Sequence, residues 1–330
     1  MATTAASLDS VTTQLKAIRD EIGKVIVGHE NVVEGALIAL VAGGHVLLEG
    51  VPGLGKTTLL RTLGEAMHLK YSRIQFTPDL MPADILGSML MQSGPDGVKS
   101  LRFEPGPIFA HLVLADEINR ATPRTQSALL EAMQEKTVTS GTETYRLEDP
   151  FLVMATQNPL EMEGTYPLPE AQLDRFLLKI VVTYPKREEM MTIVERTMSS
   201  HKPEIHQVVD RTQILEIRAR AEEVLVAPHV RDYAIDIVLA THASEPQAHE
   251  ASKKYIRYGS SPRGAQALIN AGRVRALARG RMNLSCDDIR ELTLPALRHR
   301  IILNFDAHAA GQTEDDVLRS ILASMPAREG

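Results

Sequence analysis

The sequence predicts an α/β fold in which a doubly wound parallel five-stranded sheet is followed by a smaller all-helical domain. Between residues 45 and 184, short apolar runs alternate with amphipathic segments. Such alternation is typical of a parallel sheet with helices on both faces. After Tyr184 the β-like runs stop and helical patterns take over. We therefore expect one domain over residues 1–185 and a second over residues 186–330.

Five apolar, β-branched runs are the expected strands, and they are short and continuous, as strands buried on both faces are. They cover residues 45–49, 71–77, 112–115, 151–156 and 177–183. Helical patterns separate them at residues 55–67 and 122–135. Two further helices, broken at Val27-Gly28, are expected between Leu8 and Ala42. This order favours the parallel arrangement.

Two segments interrupt the alternation and are expected to be insertions. Residues 82–104 contain the turn-forming stretch SGPDG and can form a small helix or hairpin. In residues 136–150, polar and apolar side chains alternate on both sides of Ser140-Gly141-Thr142, a pattern that indicates a β-hairpin. Neither segment is strongly basic or aromatic, which weakens the interpretation of either one as a DNA-translocating element.

The second domain is expected to contain six helices, at residues 186–199, 212–223, 229–242, 262–278, 287–297 and 314–325. Two of their starts carry a recognisable signal. Ser285 with Asp288, and Thr313 with Asp316, have the spacing of capping boxes, with Asp in place of the usual Glu.

The composition is that of a globular protein and excludes several classes. Of the 330 residues, 44% are hydrophobic and 24% are charged, and the formal net charge is −6. This balance gives no global basic footprint for duplex DNA or an anionic membrane. It does not exclude a local basic channel. The lone Cys286 allows no intramolecular disulfide. No leader or long apolar stretch is visible, so we expect a cytoplasmic protein without membrane insertion.

A phosphate-binding loop is the most specific motif of the chain. Residues 50–57, GVPGLGKT, fit G-x-x-x-x-G-K-[ST] and stand between an expected strand and an expected helix. Glycines let backbone N–H groups face the phosphates, and the helix directs its positive end at the same charge. Lys56 would reach the β- and γ-phosphates, and the Thr57 hydroxyl would bind Mg²⁺. The residues expected to contact the nucleotide here are Gly50, Pro52, Gly53, Leu54, Gly55, Lys56, Thr57 and Thr58.

Two adjacent acids end the expected strand at residues 112–115. Buried strands rarely end this way without a partner for the carboxylates. Asp116 is placed to bind Mg²⁺ and contact the nucleotide site, and Glu117 is placed to polarise an attacking water. The alternative, a solvated strand-to-helix turn, is much weaker beside a phosphate loop. The two motifs together predict hydrolysis of a nucleoside triphosphate.

Six motifs together give the chain a close resemblance to the MoxR family of AAA+ ATPases, whose core is a P-loop sheet domain followed by a helical lid. The resemblance spans residues 18–326 and extends to a branch that holds magnesium chelatase subunits and minichromosome-maintenance helicases. The motifs are VGHE (27–30), LLEGVPGLGKT (47–57), LADEINR (114–120), ATQNP (155–159), PEAQLDRF (169–176) and GSSPRG (259–264).

The resemblance implies roles for three further catalytic residues. Asn158 looks like the first sensor, an amide at a strand end that orients water. Arg175 looks like the arginine finger, which reaches a neighbouring subunit's nucleotide and offsets transition-state charge. Its alternative is a surface ion pair with Asp174 or Glu170. Arg263, in the first turn of a helix that Pro262 begins, looks like the second sensor.

The resemblance also implies a site for the adenine ring and a surface between subunits. Val27 and Gly28, with His29, match the stretch that contacts adenine in related ATPases, although a plain break between helices explains them as well. Arg120 and Arg124 either face an adjoining subunit or are simply solvated.

The resemblance further implies ATP and Mg²⁺ as cofactors and a homo-oligomer, with a hexamer as the family expectation. The leading hypothesis is a chaperone-like ATPase that remodels, matures or activates a protein client, with a von Willebrand factor A domain protein as partner. The alternatives are the motor subunit of a metal chelatase, a nucleic-acid-stimulated motor and a binding switch that barely turns over ATP. Nucleic acid is the less favoured partner, and a small-molecule kinase is the least favoured function.

Overall fold

The computed structural model describes residues 7–50, 55–93, 99–158, 164–198, 203–246 and 248–325. The first half contains most of the strands. Its elements in chain order are α1 (Leu8–Gly23), α2 (Glu30–Ala42), β1 (Val46–Glu49), α3 (Lys56–Met67), β2 (Tyr71–Gln75), α4 (Pro82–Leu86), β3 (Gly87–Ser93), β4 (Lys99–Pro105), β5 (Leu112–Asp116), a 3₁₀ turn (Ile118–Arg120), α5 (Pro123–Glu135), β6 (Thr137–Ser140), β7 (Glu143–Arg146), β8 (Leu152–Gln157), α6 (Glu170–Leu173) and β9 (Leu178–Val181).

The predicted parallel sheet is confirmed. Its five strands lie in the order β2-β5-β8-β1-β9, and each neighbouring pair is parallel. All strands therefore end at one edge, where ligands bind in folds of this kind. Gly50, Asp116 and Asn158 follow or end three of these strands and meet at that edge.

Alternate residues of the strands face two separate apolar layers. Leu48, Leu114 and Met154 belong to a layer that also includes α1, α2, α3 and most helices of the second half. Leu47, Val113 and Val153 belong to the layer under α5 and the two hairpins. This burial on both faces is why the strands read as continuous apolar runs rather than as alternating ones.

Both predicted insertions form hairpins. In the first, α4 leads into the antiparallel pair β3-β4, and the predicted turn at residues 94–98 lies outside the described residues. In the second, β6 pairs antiparallel with β7 around Gly141. The hairpins contact each other where the rings of Phe103 and Tyr145 stack with centroids 4.1 Å apart.

The second half is helical, and the expectation that strands stop after Tyr184 is wrong at one place. Its elements are α7 (Arg187–Met198), α8 (Arg211–Glu222), α9 (Pro228–Ala240), α10 (Glu250–Tyr255), β10 (Ile256–Tyr258), α11 (Pro262–Ala278), α12 (Cys286–Leu297), β11 (Ile302–Leu303), α13 (Phe305–Ala309) and α14 (Glu314–Ser324). β10 and β11 pair antiparallel, and strands of three and two residues are too short to show a period in the sequence. Both predicted capping boxes form. No helix in the described part of the chain is long and apolar enough to span a bilayer.

The fold makes stability depend on the charge of one buried histidine. His45 directly precedes β1 and is 5% exposed. Its Nδ1 accepts from the Val153 N–H at 3.0 Å, so Nε2 carries the hydrogen that is donated to the Met133 carbonyl at 3.1 Å. Burial lowers the pKa of His45 to about 4, against the smaller effect of the Met133 hydrogen bond. The folded protein therefore holds this ring neutral.

Acidification should destabilise the protein through His45. Because the unfolded ring has a pKa near about 6.5, its contribution is full above that pH and is lost as the pH falls towards the folded pKa. Between about pH 7.5 and about pH 5, the free energy of unfolding should fall by about 2 kcal/mol through this residue. Urea titrations of the wild type and His45→Gln at both pH values isolate this contribution. An identical pH dependence in the two proteins would contradict the assignment.

Candidate nucleotide-binding site

A polar cavity of about 360 Å³ lies at the edge of the sheet where the strands end. Its lining combines the loop after β1 and the start of α3 with the ends of three other strands. The residues are Gly50, Gly55, Lys56, Thr57, Thr58, Arg73, Gln75, Asp116, Glu117, Thr156 and Asn158. The structure thus brings together most of the residues that the sequence predicted for the phosphate end of the site. Pro52, Gly53 and Leu54 lie outside the described residues.

The loop after β1 is held close to the sheet at its first glycine. A Cβ on Gly50 would lie 2.6 Å from the carbonyl oxygen of Val182, so only glycine fits there. Gly55 has a φ of 74° and forms the N-cap of α3. The Lys56 Nζ donates to the Gly50 carbonyl at 3.0 Å. Burial lowers the pKa of Lys56, while the nearby charges of Asp116 and Glu117 oppose that shift.

Thr156, at the end of β8, organises the two predicted carboxylates. Its hydroxyl donates to Asp116 Oδ1 at 2.7 Å and accepts from the Glu117 N–H at 2.8 Å. Glu117 has a φ of 57°, in the left-handed region that non-glycine residues avoid. Strain of this kind persists where the surroundings enforce it and is concentrated at functional sites. Here it turns the Glu117 side chain back into the cavity.

Side chains from β2 complete the site and were not predicted from the sequence. Arg73 Nη2 lies 2.7 Å from Asp116 Oδ2, and it also donates to Gln75 Oε1 at 2.7 Å. Gln75 Nε2 in turn donates to Glu117 Oε2 at 2.8 Å, and Arg120 Nη1 lies 3.0 Å from the same oxygen. Both carboxylates therefore have protein partners that hold them in place. The only signal in the sequence is the polar i, i+2 pair on β2, which means little until the strand order is known.

A second cavity, of about 450 Å³, adjoins the first and shares Gly55 and Thr58 with it. Its walls come from the break between α1 and α2, from α3 and from α7. They include Val27, His29, Arg61, Pro185, Met190 and Ile193. Burial lowers the pKa of His29, with Glu189 opposing. Val27 thus lines a cavity next to the one at the strand ends, and its role in binding adenine stays a prediction. The contributions of Pro185 and α7 come from a distant part of the chain and gave no signal.

Gly28 lies next to Glu189 of α7, a helix that forms part of the wall of this second cavity. It has a φ of +69°, and a Cβ there would lie 2.8 Å from the Glu189 carboxyl carbon. Glu189 accepts from the Lys186 N–H at 2.7 Å just before α7, the helix that carries Met190 and Ile193. A side chain at this position would therefore push aside the Glu189 carboxylate, the flexible end of a side chain beside the cavity.

Gly28→Ala should weaken nucleotide binding more than an equivalent change elsewhere. Gly141 is the matched control, because its φ is +62° and no atom lies within 4 Å of a Cβ there. Each substitution should cost about 1 kcal/mol of stability through left-handed strain. Only Gly28→Ala should also displace the Glu189 carboxylate. Because that carboxylate can move aside, we expect the dissociation constant for ADP to rise by about twofold to threefold. Fluorescent-nucleotide titration and thermal unfolding measure the two effects. Equal ADP affinity in both variants would show that Gly28 does not shape the cavity.

Arg175 and Arg263 do not join this site. Arg175 Nη1 donates to the Leu130 carbonyl of α5 at 2.9 Å. Arg263, at the start of α11, lies 3.6 Å from Asp174. The described lining of the two cavities includes neither arginine. The Asp174 carboxylate pairs with Arg263 and Arg300, not with Arg175 as the surface alternative supposed. Arg263 thus pairs with the residue that precedes Arg175, and neither arginine lines the cavity among the described residues.

The oxygen atoms at the site fit a magnesium ion. The Thr57 hydroxyl and the Asp116 carboxylate line the same cavity, and both are oxygen ligands of the kind that Mg²⁺ prefers. The described part of the chain contains no cluster of three acidic, His or Cys residues that could form an all-protein cage. An ion at Asp116 would therefore take its other ligands from phosphate oxygens and water, which is usual for Mg²⁺ with nucleotides.

Comparisons with known proteins agree with this geometry. Residues 45–178 match the family model "ATPase family associated with various cellular activities (AAA)", and residues 248–321 match the AAA lid domain. The fold and the site together define an AAA+ ATPase, which binds and hydrolyses ATP. The chain is 42% identical over 305 residues to chaperone MoxR1 of Mycobacterium tuberculosis, covering 92% of this chain and 80% of that protein. It is 32% identical to protein MoxR of Methylorubrum extorquens, covering 93% of each.

The chain therefore belongs to the MoxR family of AAA+ ATPases. A solved structure of a candidate ATPase from Cytophaga hutchinsonii is also similar, with 41% identity and a TM-score of 0.91. The similarity covers 98% of this chain and 97% of that one.

Proposed function

We propose that the chain hydrolyses Mg²⁺-ATP in a homo-oligomeric ring, a hexamer, at sites shared between neighbouring subunits. The observation that carries this proposal is the separation of the two arginines from the phosphate cavity. The described lining of the cavity includes Lys56 and both carboxylates but not Arg175. An arginine that offsets transition-state charge has to come from the next subunit, so assembly switches hydrolysis on.

Within one site, each residue has a distinct task. Lys56 binds the β- and γ-phosphates, and Thr57 and Asp116 hold Mg²⁺, which neutralises phosphate charge when it is bound. Glu117 polarises the attacking water, and Asn158, 7% exposed at the cavity wall, orients it. Arg175 of the neighbouring subunit completes the site. Arg263, beside the same Asp174, is assigned to that neighbouring site as well.

The work done with this hydrolysis is the remodelling, maturation or activation of a partner protein. The name of the chaperone relative supports this assignment, and a von Willebrand factor A domain protein is the partner that the family favours. The formal net charge of −6 gives less support to a nucleic-acid motor. We place the boundary between the sheet domain and the lid at residues 185 and 186, where Pro185 lines the second cavity.

Mass photometry combined with phosphate release tests this function. With Mg²⁺-ATP the chain should assemble to six times its monomer mass and turn over, and with EDTA it should do neither. Addition of a von Willebrand factor A domain protein should change the rate, whereas single- and double-stranded DNA and RNA should leave it unchanged. Steep, salt-sensitive stimulation by nucleic acid would replace the chaperone role with a nucleic-acid motor.

A further inference from the structure

One buried arginine of the lid holds the chain on both sides of Arg175. Arg300 follows α12, and its side chain is 3% exposed. Its Nε donates to Asp174 Oδ1 at 2.8 Å. Its Nη2 donates to the Phe176 carbonyl at 2.7 Å and to the Asp174 carbonyl at 3.2 Å. The residues immediately before and after Arg175 are therefore tied to the same guanidinium.

The same guanidinium is also fixed to the lid itself. Arg300 Nη1 donates to the carbonyl of Ala296 in α12, and also to the Leu177 carbonyl at 3.2 Å. A guanidinium presents five donors in one rigid plane, so it fixes the acceptors of two segments relative to each other. Burial lowers the pKa of Arg300, and the Asp174 carboxylate opposes that shift. The end of α12 and residues 174–177 consequently form one hydrogen-bonded unit.

A second lid element contacts the same carboxylate. The hydroxyl of Ser261, which caps α11, donates to Asp174 Oδ2 at 2.9 Å. Arg263, two residues further on, has its Nη1 3.6 Å from the same oxygen. Asp174 thus receives Arg300 on one oxygen and the start of α11 on the other. Both contacts come from the lid and none of them involves the phosphate cavity.

On its other side the Arg175 side chain donates one hydrogen bond to the sheet domain among the described residues. Nη1 donates to Leu130 in α5, and Nε is buried with no hydrogen-bond partner among the described residues. Unpaired donors of this kind are costly unless another acceptor is supplied. Arg175 therefore lies at the junction of α5 and the lid with donor capacity left over.

We propose that Arg300 is the positioning residue through which the lid sets the place of Arg175 in the neighbouring subunit's site. The inference rests on the proposed function, because it requires Arg175 to act on that neighbouring site. Arg300 joins the end of α12 to residues 174–177, whose Phe176 side chain is packed in the core under the sheet. A shift of the lid would therefore change the position of the segment that carries Arg175. Arg300 touches no nucleotide; it transmits the state of one subunit to the active site of the next.

Mixed rings give a test that separates positioning from a merely structural role. Glu117→Gln subunits keep Arg175 but cannot hydrolyse, and Arg175→Ala subunits keep Glu117 but lack the finger. In a mixed ring, ATP is hydrolysed only at a site where an Arg175→Ala subunit supplies Glu117 and its Glu117→Gln neighbour supplies Arg175. Adding Arg300→Lys to the Glu117→Gln subunits should lower turnover of the mixture by about tenfold or more, since lysine lacks the rigid fork. Adding it to the Arg175→Ala subunits should change turnover by less than about twofold.

Controls make every outcome informative. Arg290→Lys alters an arginine on α12 that bonds Tyr233 and Met325 within the lid, and it should have no effect in either subunit. ADP affinity and ring mass should stay unchanged in Arg300→Lys. Asp174→Asn, which keeps the side-chain size, should reproduce the asymmetry if Arg300→Lys fails to fold. The proposal is overturned if Arg300→Lys lowers turnover equally in the Glu117→Gln and the Arg175→Ala subunits, or if it lowers turnover in neither. A parent mixture that does not turn over at all refutes the shared site itself before Arg300 is changed.

Discussion

Glu117→Gln should lower ATP hydrolysis by about 10²–10⁴-fold while leaving nucleotide binding nearly intact. The amide keeps the size of the side chain and can still contact Gln75 and Arg120, but it cannot accept a proton from water. The Thr156 hydroxyl continues to hold the backbone of residue 117. The loss should therefore appear in kcat, with the dissociation constant for ATP changed by less than about threefold.

Single-turnover phosphate release and fluorescent-ATP titration measure these two quantities. Glu135→Gln is the matched control, because it neutralises an exposed carboxylate of α5 outside the described lining of the cavity. It should behave as the wild type. A Glu117→Gln protein that retains kcat, or that loses ATP binding in parallel with hydrolysis, would remove Glu117 from the catalytic role.

Arg175→Ala should abolish most hydrolysis even though the residue lies outside the nucleotide cavity of its own chain. Arginine fingers supplied by a neighbouring molecule contribute about 10³–10⁵-fold to kcat, so a loss in this range is expected. The variant also loses the bond to the Leu130 carbonyl, which should cost about 1 kcal/mol of stability. ADP affinity of the isolated subunit should not change.

Gln172→Ala separates the two effects of that substitution. Gln172 Nε2 donates to Ser127 Oγ at 3.2 Å, so this variant also loses a contact between the finger segment and α5 without losing a charge. It should be destabilised to a similar degree and should retain hydrolysis. If Gln172→Ala and Arg175→Ala lose activity equally, the effect belongs to the structure of the segment and not to the guanidinium.

Local patterns were sufficient to predict the parallel sheet, the two inserted hairpins and the phosphate loop and acidic pair of the candidate site. The phosphate loop and the acidic strand end each combine a specific residue pattern with a strand that precedes it. The parallel order then requires their carboxyl ends to meet. The family resemblance implied a role for Asn158, which the structure places at the cavity directly after β8.

Residues whose importance depends on tertiary neighbours could not be predicted. Arg73 matters because β2 lies beside β5, and Thr156 matters because β8 lies on the other side of β5. Arg300 comes within reach of Asp174 across more than a hundred residues of sequence. No periodicity marks such pairs, since a lone arginine after a helix is usually solvated. The location of Arg263 outside the described lining of its own phosphate cavity also emerged only from the structure.

The most direct test of the shared site is the specific ATPase activity measured against protein concentration, together with an equimolar mixture of Glu117→Gln and Arg175→Ala. We expect activity per subunit to rise with concentration as rings assemble. We also expect the mixture to regain turnover that neither variant has alone. Activity per subunit that is flat with concentration, with no recovery in the mixture, would contradict the account. Each chain would then hydrolyse ATP by itself, without an arginine from its neighbour.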